Sequence, residues 1–82
     1  MKFFVQYERG VLLEYEAESI EELQLTVIED VDMYCNQSII IRDENKKVVR
    51  VANWYKCSPE KGEEVLAAIP GRGFFTPWVD PM

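Results

Sequence analysis

Two short runs of alternating apolar and polar residues constrain this chain more than any other feature: Phe3, Val5 and Tyr7 before Gly10, and Val11, Leu13, Tyr15 and Ala17 after it. Each run has the period of a strand with one buried face. A two-residue loop at Arg9-Gly10 would set Val5 opposite Glu14 and Phe3 opposite Glu16. That would bury carboxylates, because a one-residue change of register swaps the faces. A three-residue loop of Glu8, Arg9 and Gly10, a type I turn closed by a left-handed glycine, pairs Tyr7 with Val11, Val5 with Leu13 and Phe3 with Tyr15. The sequence therefore predicts a hairpin whose Glu14, Glu16 and Glu18 point outward.

Ser19 followed by Glu22 is a capping box, and Ile20, Leu23, Val27 and Val31 fall on one helical stripe with Ile28 at its edge, predicting a helix over about 20–32. Its outer face carries Glu22 and Glu29, with Glu21 and Asp32 to one side. A second hairpin follows, with Ile39, Ile40 and Ile41 leading into Asp43-Glu44-Asn45 and Val48, Val49 and Val51 leading out. A three-residue loop with Asn45 in the left-handed position pairs Ile39 with Val49 and Ile41 with Lys47. The expected core face is then Ile39, Ile41, Val49 and Val51. Ile40 and Val48 pair on the other face, among Ser38, Arg42, Lys46 and Arg50.

Beyond Trp54 the periodicity weakens. Ser58-Pro59 suits a helix start and Val65 to Ile69 a short helix stopped by Pro70, with Gly62 making it marginal. Gly71-x-Gly73 reads as a bend, and the aromatic stretch from Phe74 to Trp78 as an extended tail that closes the core or meets a partner. The expected fold is one α+β domain over residues 1–82. In it two antiparallel β-hairpins form one sheet, an amphipathic helix packs on one face (ββαββ), and a short C-terminal helix and extended aromatic tail follow.

Charge is distributed unevenly over this frame. The first 32 residues carry nine carboxylates against Lys2 and Arg9, whereas residues 33–82 carry six acids and seven bases. The overall charge of −6 repels nucleic acid and anionic membranes, so neither is an expected direct partner. A start with an apolar run of only Phe3-Phe4-Val5 before Gln6 and the lack of any long apolar run predict a cytoplasmic protein without signal peptide or membrane span. Cys35 and Cys57 lack metal-ligand spacing and read as packed, reduced thiols.

There is no histidine, no glycine-rich phosphate loop and no nucleophile with a supporting base, so no catalytic residue, cofactor or metal is expected. Asp30-x-Asp32 beside Glu29 falls far short of an ordered calcium loop. The candidate partner-binding residues are Glu14, Glu16, Glu18, Glu21, Glu22, Glu29 and Asp32, with Trp78 as an aromatic anchor. Alternate strand residues stand about 6.6–6.8 Å apart, close to the spacing of phosphates along a nucleic-acid strand. Acids so placed could occupy a basic nucleic-acid channel in another protein; the plainer reading is that they solubilise a small domain.

The order hairpin, Glu16-Ala-Glu-Ser-Ile-Glu-Glu22 helix, hairpin with Ile41-Arg-Asp-Glu-Asn-Lys-Lys-Val-Val49, then Trp54-Tyr55 and Gly73-Phe74-Phe75 with Trp78, resembles small acidic proteins of phages and bacterial mobile elements, anti-CRISPR proteins among them. The resemblance implies stoichiometric inhibition through binding and not catalysis, and the lopsided charge points to a protein partner with a basic surface. An oligomerising protein that uses an apolar sheet face or an open edge, giving a homodimer, is the alternative. A small carboxylate enzyme is a third reading, and it would need a concave acidic site.

Overall fold

The computed structural model describes residues 1–8, 10–30 and 37–81. The expected first hairpin forms from β1 (Lys2–Tyr7) and β2 (Leu12–Glu16), in the register set by burial: Val5 lies opposite Leu13 and Phe3 opposite Tyr15. Phe3, Val5 and Tyr7 are buried while Glu14 and Glu16 are exposed. Val11, expected on the inward face, lies outside β2 and is 77% exposed. The loop conformation turns on Arg9, which is outside the described residues.

Helix α1 spans Ile20–Glu29. Ser19 Oγ caps it by accepting from the Glu22 N–H at 3.1 Å, and Glu22 Oε2 reaches back past the cap to accept from the Glu18 N–H at 2.9 Å. The helix ends earlier than its apolar stripe suggested, with Asp30 as the C-cap, and no base stands in the last turn. Val31 and Asp32, the expected last turn, and Cys35 lie outside the described residues. Leu23 and Val27 are buried in one core with Phe3, Val5, Tyr7, Ile39 and Ile41, so the helix packs on the sheet face that carries these side chains.

The second hairpin, β3 (Ile39–Arg42) and β4 (Val48–Ala52), joins the first through antiparallel pairing of β1 with β3, giving one sheet in the order β2-β1-β3-β4. Its register differs from the expected one. Asp43 Oδ1 accepts from the N–H groups of Asn45 and Lys47 (2.9 and 3.0 Å), which moves the turn one residue along, and Lys46, not Asn45, takes the left-handed conformation at φ 68°. A bulge then adds a residue: Arg42 lies opposite Val48, but Ile41 lies opposite Arg50 and Ile39 opposite Ala52. Val49 packs half-buried against the core as expected, but Val51 joins Ile40 on the other face and Ala52 is buried instead, and Arg50 falls opposite Ile41 with its guanidinium 3.8 Å from Asp80.

The expected short C-terminal helix is replaced by a second, three-stranded sheet, β5-β7-β6, from β5 (Trp54–Tyr55), β6 (Ala67–Ile69) and β7 (Gly73–Phe75). Pro70 does not stop a helix. It is the first corner of a type II turn, with Gly71 at φ +80° as the second and the Arg72 N–H donating to Ile69 O at 2.9 Å. The Ser58-Pro59 stretch leads instead into a tight turn at Gly62 (φ +86°), in which Glu63 N donates to Glu60 O. Phe75, fully buried, carries this sheet into the common core, and Trp78 packs half-buried against it. Past β7 the chain runs back along β4: Thr76 pairs with Asn53, and Val79 exchanges two hydrogen bonds with Val51 at 2.9 and 3.0 Å. That segment pairs with the β4 edge, so that among the described residues β2 is the open edge of the larger sheet.

Candidate partner-binding surface

The candidate acids divide between two layers. Glu14 and Glu16 stand on the sheet face opposite α1, while Glu18, Glu21, Glu22 and Glu29 are exposed on the loop and helix that cover the other face. On the sheet face the two acids have weak local partners: Glu16 lies 3.3 Å from the Met1 ammonium and Glu14 4.0 Å from Lys2 Nζ, all four groups being well exposed. Such surface pairs hold little energy and leave the carboxylates accessible. Both acids also sit on the open edge strand, where charge discourages strand addition.

On the helix, Glu22 is committed to its cap, whereas Glu21 and Glu29 have no side-chain hydrogen bond or ion pair among the described residues. Between them stands a residue that the sequence pattern did not single out. Leu25 is 70% exposed, four residues after Glu21, three after Glu22 and four before Glu29. Residues three and four apart are neighbours on a helix surface, so this leucine is ringed by three carboxylates. Its signal in the sequence was negative: it is the apolar residue that falls off the Ile20, Leu23 and Val27 stripe.

Trp78 belongs to neither group. Its indole rests against the common core, so only part of its surface is accessible. Asp32 lies outside the described residues. Among the described residues no group of three or more His, Cys, Asp or Glu side chains could hold a metal ion, and no helix is long and apolar enough to cross a membrane. A depression of about 230 Å³ between the 56–59 loop and the β6–β7 turn brings Lys56, Cys57 and Arg72 together and has no carboxylate in its lining; the Cys57 thiol, expected to be packed, is exposed there.

Comparison with family models, curated proteins and solved structures gives no match to this chain.

Proposed function

We propose that this chain is a non-enzymatic protein-binding module that presents its acidic helix face to a basic, nucleic-acid-binding surface of another protein, in the manner of a phage-type inhibitor. One observation carries the reading: Leu25 exposed at the centre of Glu21, Glu22 and Glu29. Removing an exposed leucine from water by docking is worth roughly 1.5–3 kcal/mol, so it supplies affinity. A ring of carboxylates supplies orientation, long-range attraction to a basic partner and repulsion of acidic ones. Acids at the C-terminal end of a helix oppose its dipole, and Glu29 and Asp30 stand there with no base to offset them. Stability gives no reason for that placement, whereas display to a partner does.

The test is an affinity pull-down from the native host at low and at high salt. Wild type is expected to capture a nucleic-acid-binding protein at low salt and to lose most of it at 1 M salt, where the Debye length falls to about 3 Å. Leu25→Ser and the double reversal Glu21→Lys with Glu29→Lys should each abolish capture while leaving the helical circular dichroism unchanged. A partner retained by both variants would reject the proposal.

A further inference from the structure

The depression beside the smaller sheet is built by the register that aligns its strands. In the β5–β7 pair, Trp54 lies opposite Phe75 and Tyr55 opposite Phe74. Continued past the end of β5, that antiparallel register brings Lys56 abreast of Gly73 and Cys57 abreast of Arg72. The pairing of Ile69 with Gly73 and the type II turn over Pro70 and Gly71 hold the far wall. Segments distant in sequence thus carry two cations, Lys56 and Arg72, to one concave place of about 230 Å³.

Its surroundings suit an anion. The chain has 15 acids against 9 bases, yet no carboxylate stands in this lining, and Lys56 makes no ion pair among the described residues. The acids of the adjoining turn are used locally: Glu63 Oε1 accepts from the Glu60 N–H at 2.9 Å, and neither residue lines the depression. Ser58 Oγ and the Gly71 N–H add two neutral donors that have no protein partner among the described residues. Pro59, Ile69 and Pro70 supply apolar wall.

We propose that this depression binds a small phosphate monoester, its phosphate held by Lys56 and Arg72 and its organic part against Pro59, Ile69 and Pro70. A phosphate monoester carries about −1.5 to −2 charges at pH 7 and so matches two cations, whereas a carboxylate leaves one of them uncompensated. Arginine offers phosphate a fork of donors and lysine a point charge. The volume is below the roughly 300–1,000 Å³ of sites for drug-sized ligands, so the ligand is small. The overall charge of −6 disfavours a long polyanion in its place. Because Lys56, Ser58 and Arg72 are exposed, binding is weak, with a Kd of roughly 1 mM. The site is separate from the Leu25 face of α1 and does not depend on it.

Nuclear magnetic resonance titration of the isotope-labelled full chain with phenyl phosphate, at constant ionic strength, tests it. The amides of Lys56, Cys57, Ser58, Gly71 and Arg72 should shift together and saturate with a Kd of roughly 1 mM. Lys56→Gln and, separately, Arg72→Gln should each weaken binding about tenfold, the loss of one charged contact. Circular dichroism checks that each variant folds, and either alone decides the matter. Benzoate, with the same ring and a single charge, should bind more weakly than phenyl phosphate. Shifts that rise without saturating, that centre on Arg42 and Lys46, or that are unchanged in the variants would each overturn the proposal. So would benzoate binding as tightly as the ester. A phosphoserine pentapeptide that binds more tightly than phenyl phosphate would also overturn it, since the ligand would then be a protein. Leu25→Ser should leave the phenyl phosphate affinity unchanged, so failure of this site and failure of host-partner capture are read separately.

Discussion

The two sheets of this domain are held in opposite ways. In the larger one, strands of four to six residues share a long ladder, and Phe3, Val5, Tyr7, Ile39, Ile41 and Ala52 spread the burial over three of its strands. The smaller has strands of two or three residues and concentrates its packing at one place. There the Trp54 ring lies 4.8 Å from the Phe75 ring and Tyr55 stacks on Phe74 at 5.5 Å. Gly73 leaves the room in which Tyr55 O and Trp54 sit, for a Cβ on it would come 2.1 Å from that oxygen and 2.6 Å from Trp54 Cζ2. A distributed sheet tolerates local change and can carry exposed charge on a strand, as β2 does with Glu14 and Glu16. A concentrated one stands or falls on single atoms.

The sharpest break in that comparison is Phe75→Ala. Phe75 is fully buried and ties the smaller sheet to the common core, so its truncation should cost about 3–5 kcal/mol by urea unfolding. For a chain of 82 residues that is a large share of the whole stability. Next comes Gly73→Ala, expected to cost about 3 kcal/mol because the added methyl meets backbone as well as a ring. Loss of the near-ultraviolet tryptophan signal before global unfolding would show that the smaller sheet opens alone. Gly71→Ala serves as its control. Nothing lies within 4 Å of a Cβ there, and only the φ of +80° resists it, so about 1 kcal/mol is expected. Smallest is Asp43→Ala in the larger sheet. It removes the acceptor for two turn N–H groups and should cost about 1 kcal/mol, with the β3–β4 turn free to slip, read as altered cross-strand nuclear Overhauser contacts. A smaller cost for Gly73→Ala than for Asp43→Ala would refute the contrast between the sheets.

The same contrast explains what could be read from the residues. The register of the first hairpin was legible because the alternative would have buried Glu14 and Glu16, and alternation alone decides between the two. The register of the second was not, since Ile39 to Ile41 and Val48 to Val51 are apolar at consecutive positions and a slip costs little. The Asp43 side chain and a bulge decided it instead. The smaller sheet escaped because two- and three-residue strands carry no measurable period. Its one local signal was Pro70-Gly71, which fits a type II turn as well as a helix stop followed by a bend. Among the candidate site residues, the outward set of Glu14 and Glu16 followed from strand alternation. Their separation from the helix acids needed the three-dimensional arrangement, and Leu25 emerged only once α1 was seen to turn it outward.

The account rests most heavily on the outer face of α1 being the surface that another protein reads. Nuclear magnetic resonance titration of the labelled chain with the partner captured at low salt addresses it directly. The account predicts that the Leu25 methyl signals and the amides of Glu21, Glu22 and Glu29 shift or broaden first. Perturbation confined to the Lys56–Arg72 depression or to the Leu12 and Ile40 sheet face, with Leu25 unmoved, would contradict it.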